Sequence, residues 1–281
     1  MKLKEHTKYI WLNRYRIIVT LIFLFGLFAT WFFFSGMFDY TLNFHLRPEE
    51  LEFANTMQKD LISSISKLDD YVSATYTFTV TLLPLFVSAL SLVYVFEKKG
   101  YFHFKHIREN KYKKILIKDI LCHALLNSIT IYLAYLIFLF VGIAFNRFES
   151  DVDRPLLNYI FGRGFYFSNM VLYHIIDGFI RFFIFTFVYS VFSFSISLCS
   201  TKYYYSMLSP IVYYFFTSII FGIGFKYQFL SPTFTQGFPS YGSNLTIGEV
   251  LTPLLIPFIF SIGVVVYSCI RNEKVCAFKN S

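Results

Sequence analysis

Charge is sparse in this sequence. Only 15% of its 281 residues are Asp, Glu, Lys or Arg, against about 25% in ordinary soluble domains. A water-soluble globule of this size needs more polar surface than that, so the class is excluded. The 56% hydrophobic and 22% aromatic content, with a mean hydropathy of +0.55, equally exclude disorder, collagen and coiled coil. Cysteine is scarce. Cys122, Cys199, Cys269 and Cys276 lie in apolar runs or in the basic C-terminal tail, which argues against an extracellular disulfide framework, and their spacing is not that of zinc ligands. Gly-x-x-x-x-Gly-Lys, Gly-x-Ser-x-Gly and His-Glu-x-x-His are all missing. The chain therefore does not hydrolyse ATP in the P-loop manner, and no catalytic or metal-ligand set is visible.

What the sequence does have is long runs without charge. Ile17–Phe38, Tyr71–Phe96, Ile120–Asn146, Phe182–Thr201, Tyr203–Phe225 and Val250–Ile270 hold 22, 26, 27, 20, 23 and 21 residues. A membrane-spanning helix needs about 20. The pattern predicts an all-α membrane protein of six transmembrane helices, a single transmembrane domain over 1–281. The first run is too long for a signal-peptide core, and Trp31-Phe32-Phe33-Phe34 makes a poor cleavage site, so it reads as a retained span.

Charge sets the expected orientation. With the N-terminus in the cytoplasm, segments 1–16, 97–119, Lys202 and 271–281 are inside and carry 17 Lys and Arg but 5 acids. Segments 39–70, 147–181 and 226–249 are outside, with 8 bases and 12 acids. Positive charge flanks the cytoplasmic ends of spans, so both termini are expected inside. The same bias explains the isoelectric point near 9.1 without nucleic acid as a partner.

Several segments carry further signals. Residues 1–16 interleave bases with Tyr9, Trp11 and Tyr15, which fits either an interfacial helix or an ordinary anchored flank. In 39–70, Pro48-Glu49-Glu50 resembles a helix start. Leu51, Ala54, Met57, Leu61, Ile65 and Leu68 then form one apolar face of an amphipathic helix running into the second span. Segment 97–119 combines eight bases with Tyr101, Phe102, Phe104, Ile107 and Tyr112. That mixture suits a docking surface for a protein, or a snorkelling helix on lipid headgroups. Gly162 and Gly164 read as breakers in 147–181, and 226–249 is rich in turn residues.

Five polar residues belong to the spans or their borders. His174, Asp177 and Arg181 share a helical face. They read as a polar vestibule or an interhelical lock, or else as a salt bridge at headgroup level, and the second is the commoner situation. His123 and Asn127 lie four apart near the inner end of the third span, where they line a pathway or hydrogen-bond a neighbouring helix.

The order of parts resembles the permease of an ABC-2-type ABC transporter. The second span ends in Tyr94-Val95-Phe96-Glu97. Gly100-Tyr101-Phe102, Arg108 and then Lys113-Lys114-Ile115-Leu116-Ile117-Lys118 follow into the third span, and Ser231-Pro232 opens a Gly/Pro-rich stretch before the last. The resemblance implies a type V exporter-like bundle with both termini inside and a coupling segment over 97–119. Glu97, Gly100, Tyr101, Phe102, Phe104, Ile107, Arg108 and Lys111 would meet an ATPase subunit present in two copies. A second permease subunit, identical or not, would complete the pathway in a bacterial cytoplasmic membrane. This chain would need no cofactor, since ATP and magnesium would bind the partner, and it would not itself be an enzyme. The implied cargo is amphipathic or hydrophobic, such as an antimicrobial peptide, bacteriocin or peptide toxin, with a lipid or lipid-linked glycan as alternative. A non-catalytic membrane scaffold or sensor that recruits a cytoplasmic partner is the reading from another class.

Overall fold

The computed structural model describes residues 14–42, 54–98, 112–150, 154–200, 202–225, 227–237 and 246–279. Six of its helices are long and apolar enough to cross a membrane: Arg14–Phe34, Leu68–Glu97, Lys113–Phe145, Met170–Cys199, Tyr203–Gly224 and Ile247–Ile270. They are numbered here as spans one to six, and they make the chain a multi-pass membrane protein. Among the described residues the only strand-like pairing is an isolated bridge between Lys67 and Arg147. Helices prevail because each closes its backbone hydrogen bonds within itself, as an apolar medium requires.

Two expectations need correction. The fourth span begins at Met170, twelve residues before the charge-free run. Asp177 and Arg181 end that run in the sequence, but they face one another in the fold, so the helix passes straight through them. The apolar face of 39–70 does not run unbroken into span two. One helix covers Ala54–Ile65 and a new one starts at Leu68. Between them Leu68 donates its N–H to Arg147 O at 2.9 Å, and Arg147 donates to Ser66 O at 2.9 Å. The backbone at 66–68 is thus taken up by a neighbouring segment and leaves the helical ladder.

The interfacial helix expected over 1–16 lies outside the described residues up to position 13, as does Pro48-Glu49-Glu50. So do Gly100, Tyr101, Phe102, Phe104, Ile107, Arg108 and Lys111, the core of the expected coupling segment. Gly162 and Gly164 do break the chain. Their φ angles of 96° and 80° lie where only glycine is comfortable.

Span four is the axle of the bundle. It packs against spans two, three, five and six, while span one lies on spans two and three. Two thirds of its most apolar stretch is buried, against 11% for span five. Its centre is π-helical over Phe179–Ile184, between α-helices Met170–Gly178 and Phe185–Cys199. A π-turn loosens the carbonyl ladder, and side chains from other elements occupy the carbonyls next to it. Tyr135 donates to His174 O at 3.0 Å, Tyr132 to Ile175 O at 3.1 Å and Gln236 to Arg181 O at 2.8 Å. Gly178 lets the Tyr135 ring lie directly on the helix, and that ring stacks on Phe182 at 4.3 Å.

Candidate functional site

The buried acidic, basic and histidine side chains gather at the two ends of span two, some 28 residues apart, or roughly 40 Å at 1.5 Å per residue. The sequence read His174, Asp177 and Arg181 as one group and His123 and Asn127 as another. The structure divides them between the ends.

At the first end the anchor is Asp69. Its Oδ1 accepts from Arg154 Nε and from the Tyr166 hydroxyl, both at 2.7 Å, and its Oδ2 accepts from the Ser150 hydroxyl at 3.4 Å. Asp177 and Arg181, fully buried, pair through Arg181 Nε, 3.0 Å from each carboxylate oxygen, and through a closer Nη2 contact. They are therefore enclosed by the bundle and do not face water. Tyr76 presents its ring to both cations, with the Arg181 guanidinium 4.4 Å and the Arg154 guanidinium 5.8 Å from its centroid. His174 is wholly buried between the two acids, its Nε2 3.9 Å from Asp69 Oδ1. The cluster ties the 150–168 segment, span two, span four and the short helix Pro232–Gly237 together.

Charge is balanced among the described residues here. Two carboxylates face two guanidiniums, the arrangement that makes buried ions tolerable. Burial alone would disfavour the Arg154 charge, but Tyr76 and the hydrogen-bonded Asp69 carboxylate outweigh it and hold the guanidinium above its ordinary range. Burial pushes the Tyr166 phenol up; the Ser150 contact opposes this and the Asp69 carboxylate reinforces it.

At the second end Arg16 Nη2 lies 2.6 Å from His123 Nδ1, and His123 Nε2 lies 3.1 Å from Glu97 Oε2. A guanidinium only donates, so Nδ1 accepts and the ring proton sits on Nε2, facing the carboxylate. Span one, the end of span two and span three are thereby joined through one imidazole. Asp119, also buried, lies one turn before His123, and Lys98 donates to Ser197 O on span four. Glu97, expected to face an ATPase, is turned into its own chain. Asn127 donates to Ser190 Oγ at 3.2 Å, the neighbouring-helix bond that the sequence allowed.

Between the ends, span four presents a continuous buried polar face: His174, Asp177, Arg181, Thr186, Ser190, Ser193 and Ser197. The steps are 3, 4, 5, 4, 3 and 4 residues. The single step of five falls where the π-helix adds a residue to the turn, and that addition keeps the face in register. The small serines let neighbouring helices approach, and Ser193 and Ser206 exchange hydroxyl-to-carbonyl bonds at 2.7 Å.

Sequence reasoning singled out neither Asp69, Tyr76, Arg154, Tyr166 and Gln236 at the first end, nor Arg16 at the second. Arg16 and Asp69 sit at the borders of apolar runs, where inward-facing charges look the same as ordinary flanking ones. Such an arrangement offers no nucleophile with an adjacent base. Among the described residues no group of three His, Cys, Asp or Glu is placed to hold a metal ion. The site can fasten helices together and move them as a unit. No family model, curated protein or solved structure matches the chain.

Proposed function

We propose that this chain is the permease subunit of an ATP-driven exporter of the ABC-2 type. It sits in a bacterial cytoplasmic membrane with both termini and the Glu97 end inside. The observation that carries the reading is the Arg16–His123–Glu97 junction. It stands where span two gives way to the basic and aromatic segment 99–111, and it ties that exit point to spans one and three. Phe102, Phe104 and Ile107 fill a groove on a separate ATPase, while Arg108 and Lys111 meet acidic rims. When two ATPases close on ATP, the segment is drawn sideways and the junction passes the displacement to three helices as a rigid body. Span four, packed on four of the others, carries it to the Asp69 end. One such bundle supplies half of a two-fold pathway, so a second permease subunit completes it.

The lipid-facing aromatic load and the buried polar face suit a cargo with both kinds of surface, such as an antimicrobial peptide or peptide toxin. The test is extraction of the tagged full chain from its host in mild detergent, with mass spectrometry of the companions. A P-loop ATPase is expected with the native chain and is lost when Phe102 and Phe104 become Ala. Recovery of the chain alone, or of the same companions with both variants, overturns the reading.

A further inference from the structure

Among the described residues, the His174 side chain has both its polar atoms unsatisfied: it is 0% exposed, and neither ring nitrogen has a hydrogen-bond partner. An unsatisfied polar group inside a packed interior costs about 1–3 kcal/mol, and the accepting ring nitrogen keeps its lone pair uncommitted. The carboxylate oxygen that approaches the ring is Asp69 Oδ1, 3.9 Å from Nε2. That distance is too long for a hydrogen bond and close enough for an ion pair. The same Oδ1 is already the acceptor for Arg154 and Tyr166.

We propose that His174 is a proton-binding site, and that its protonated ring competes with Arg154 for Asp69. The ligand is a proton from water, taken up by the free lone pair of the imidazole; no other bond is made or broken. A proton needs no cavity, which suits a ring packed edge-on against Tyr166 and Tyr173, 5.9 and 5.6 Å between centroids. The titratable and charged groups around it, among the described residues, come from three elements. Span two contributes Asp69 and Tyr76, the 150–168 segment contributes Arg154 and Tyr166, and span four contributes Tyr173, Asp177 and Arg181. Tyr135 of span three holds the His174 carbonyl and leaves the ring free.

Proton uptake takes these groups from charge balance to an excess of one positive charge. Asp177 is fully committed to Arg181, so Asp69 is the carboxylate that answers. Its pairing with the new imidazolium comes at the expense of the Arg154 bond. Arg154, though buried, lies outside the spans beside a run of short helical turns and is the cation able to shift, whereas Arg181 is fixed within a span. Acidification thus loosens the 154–168 segment from the bundle. This inference is independent of the exporter reading.

The test uses the full chain in lipid nanodiscs, freed of its cysteines, with a spin label at Ile160→Cys, an exposed position of that segment. Label mobility is followed from about pH 8 to about pH 3, a range that extends well below an ordinary imidazole. The expected result is a one-proton rise in mobility on acidification. His174→Gln abolishes the rise. Tyr166→Phe, which removes one competitor for Asp69, moves its midpoint to higher pH. A rise of unchanged size and midpoint in His174→Gln overturns the proposal. If that variant does not accumulate, an unmoved midpoint in Tyr166→Phe, or a flat profile in the parent, does the same.

Discussion

Replacing Arg181 with Met leaves the Asp177 carboxylate buried without its partner. Replacing Asp177 with Leu leaves the guanidinium equally stranded. Both side chains are at most 1% exposed, so water cannot stand in for the missing partner. Breaking a buried ion pair from one side costs about 3–5 kcal/mol. For chains of 150–250 residues a loss of 1 kcal/mol lowers Tm by about 2–4 °C, so each single variant should melt roughly 6–20 °C lower. The double variant Asp177→Leu/Arg181→Met removes both charges and puts apolar volume in their place. Such replacements are often neutral or stabilising, so the double variant should melt above either single one. Scanning fluorimetry of the four proteins in one detergent gives the complete cycle. If the two single losses simply add in the double variant, the residues are not coupled, and the account of the fourth span passing through a self-neutralised pair is wrong.

Three further outcomes follow from the same geometry. Asp69→Asn should weaken the charge-assisted bond to Arg154 and speed amide exchange across Arg154–Ser168, by about 10-fold or more for a loss of about 1.5–3 kcal/mol; exchange unchanged from the parent contradicts the anchor role. Gly178→Ala drives a methyl into the Tyr135 ring and should cost about 1–3 kcal/mol, whereas Gly263→Ala, whose added carbon meets nothing within 4 Å, should leave Tm within about 1 °C. The Tyr166 phenol is raised in the fold, so its contribution is complete below the ordinary phenol value near 10 and fades as pH climbs above it; mobility of the 154–168 segment should therefore rise in alkali in the parent and stay flat in Tyr166→Phe.

The six spans were legible in the sequence because apolar length is a one-dimensional property. Runs free of charge need no partner to be recognised, and each lies largely within one helix. Pairing is what the chain order conceals. Asp177 and Arg181 looked like the outer limit of span four, since two charges in a row of apolar residues read as water-facing until their mutual contact is seen. Asp69 and Arg154 are 85 positions apart, and Arg16 and His123 are 107 apart, so no local pattern connects them. The register of the polar face was hidden for a different reason. Steps of three and four predict a face on an α-helix, and the step of five from Arg181 to Thr186 breaks that rule unless a π-turn is assumed. The break at Ser66–Lys67 was equally hidden, because the segment that captures its backbone arrives from Arg147.

Phosphate release from material extracted with the tagged chain tests the exporter account most directly. The account predicts magnesium- and ATP-dependent release that co-elutes with the chain. Phe102→Ala/Phe104→Ala should reduce it to background while the yield and helical content of the chain stay unchanged. Release that is absent from the native preparation, or that persists undiminished in the substituted one, contradicts it.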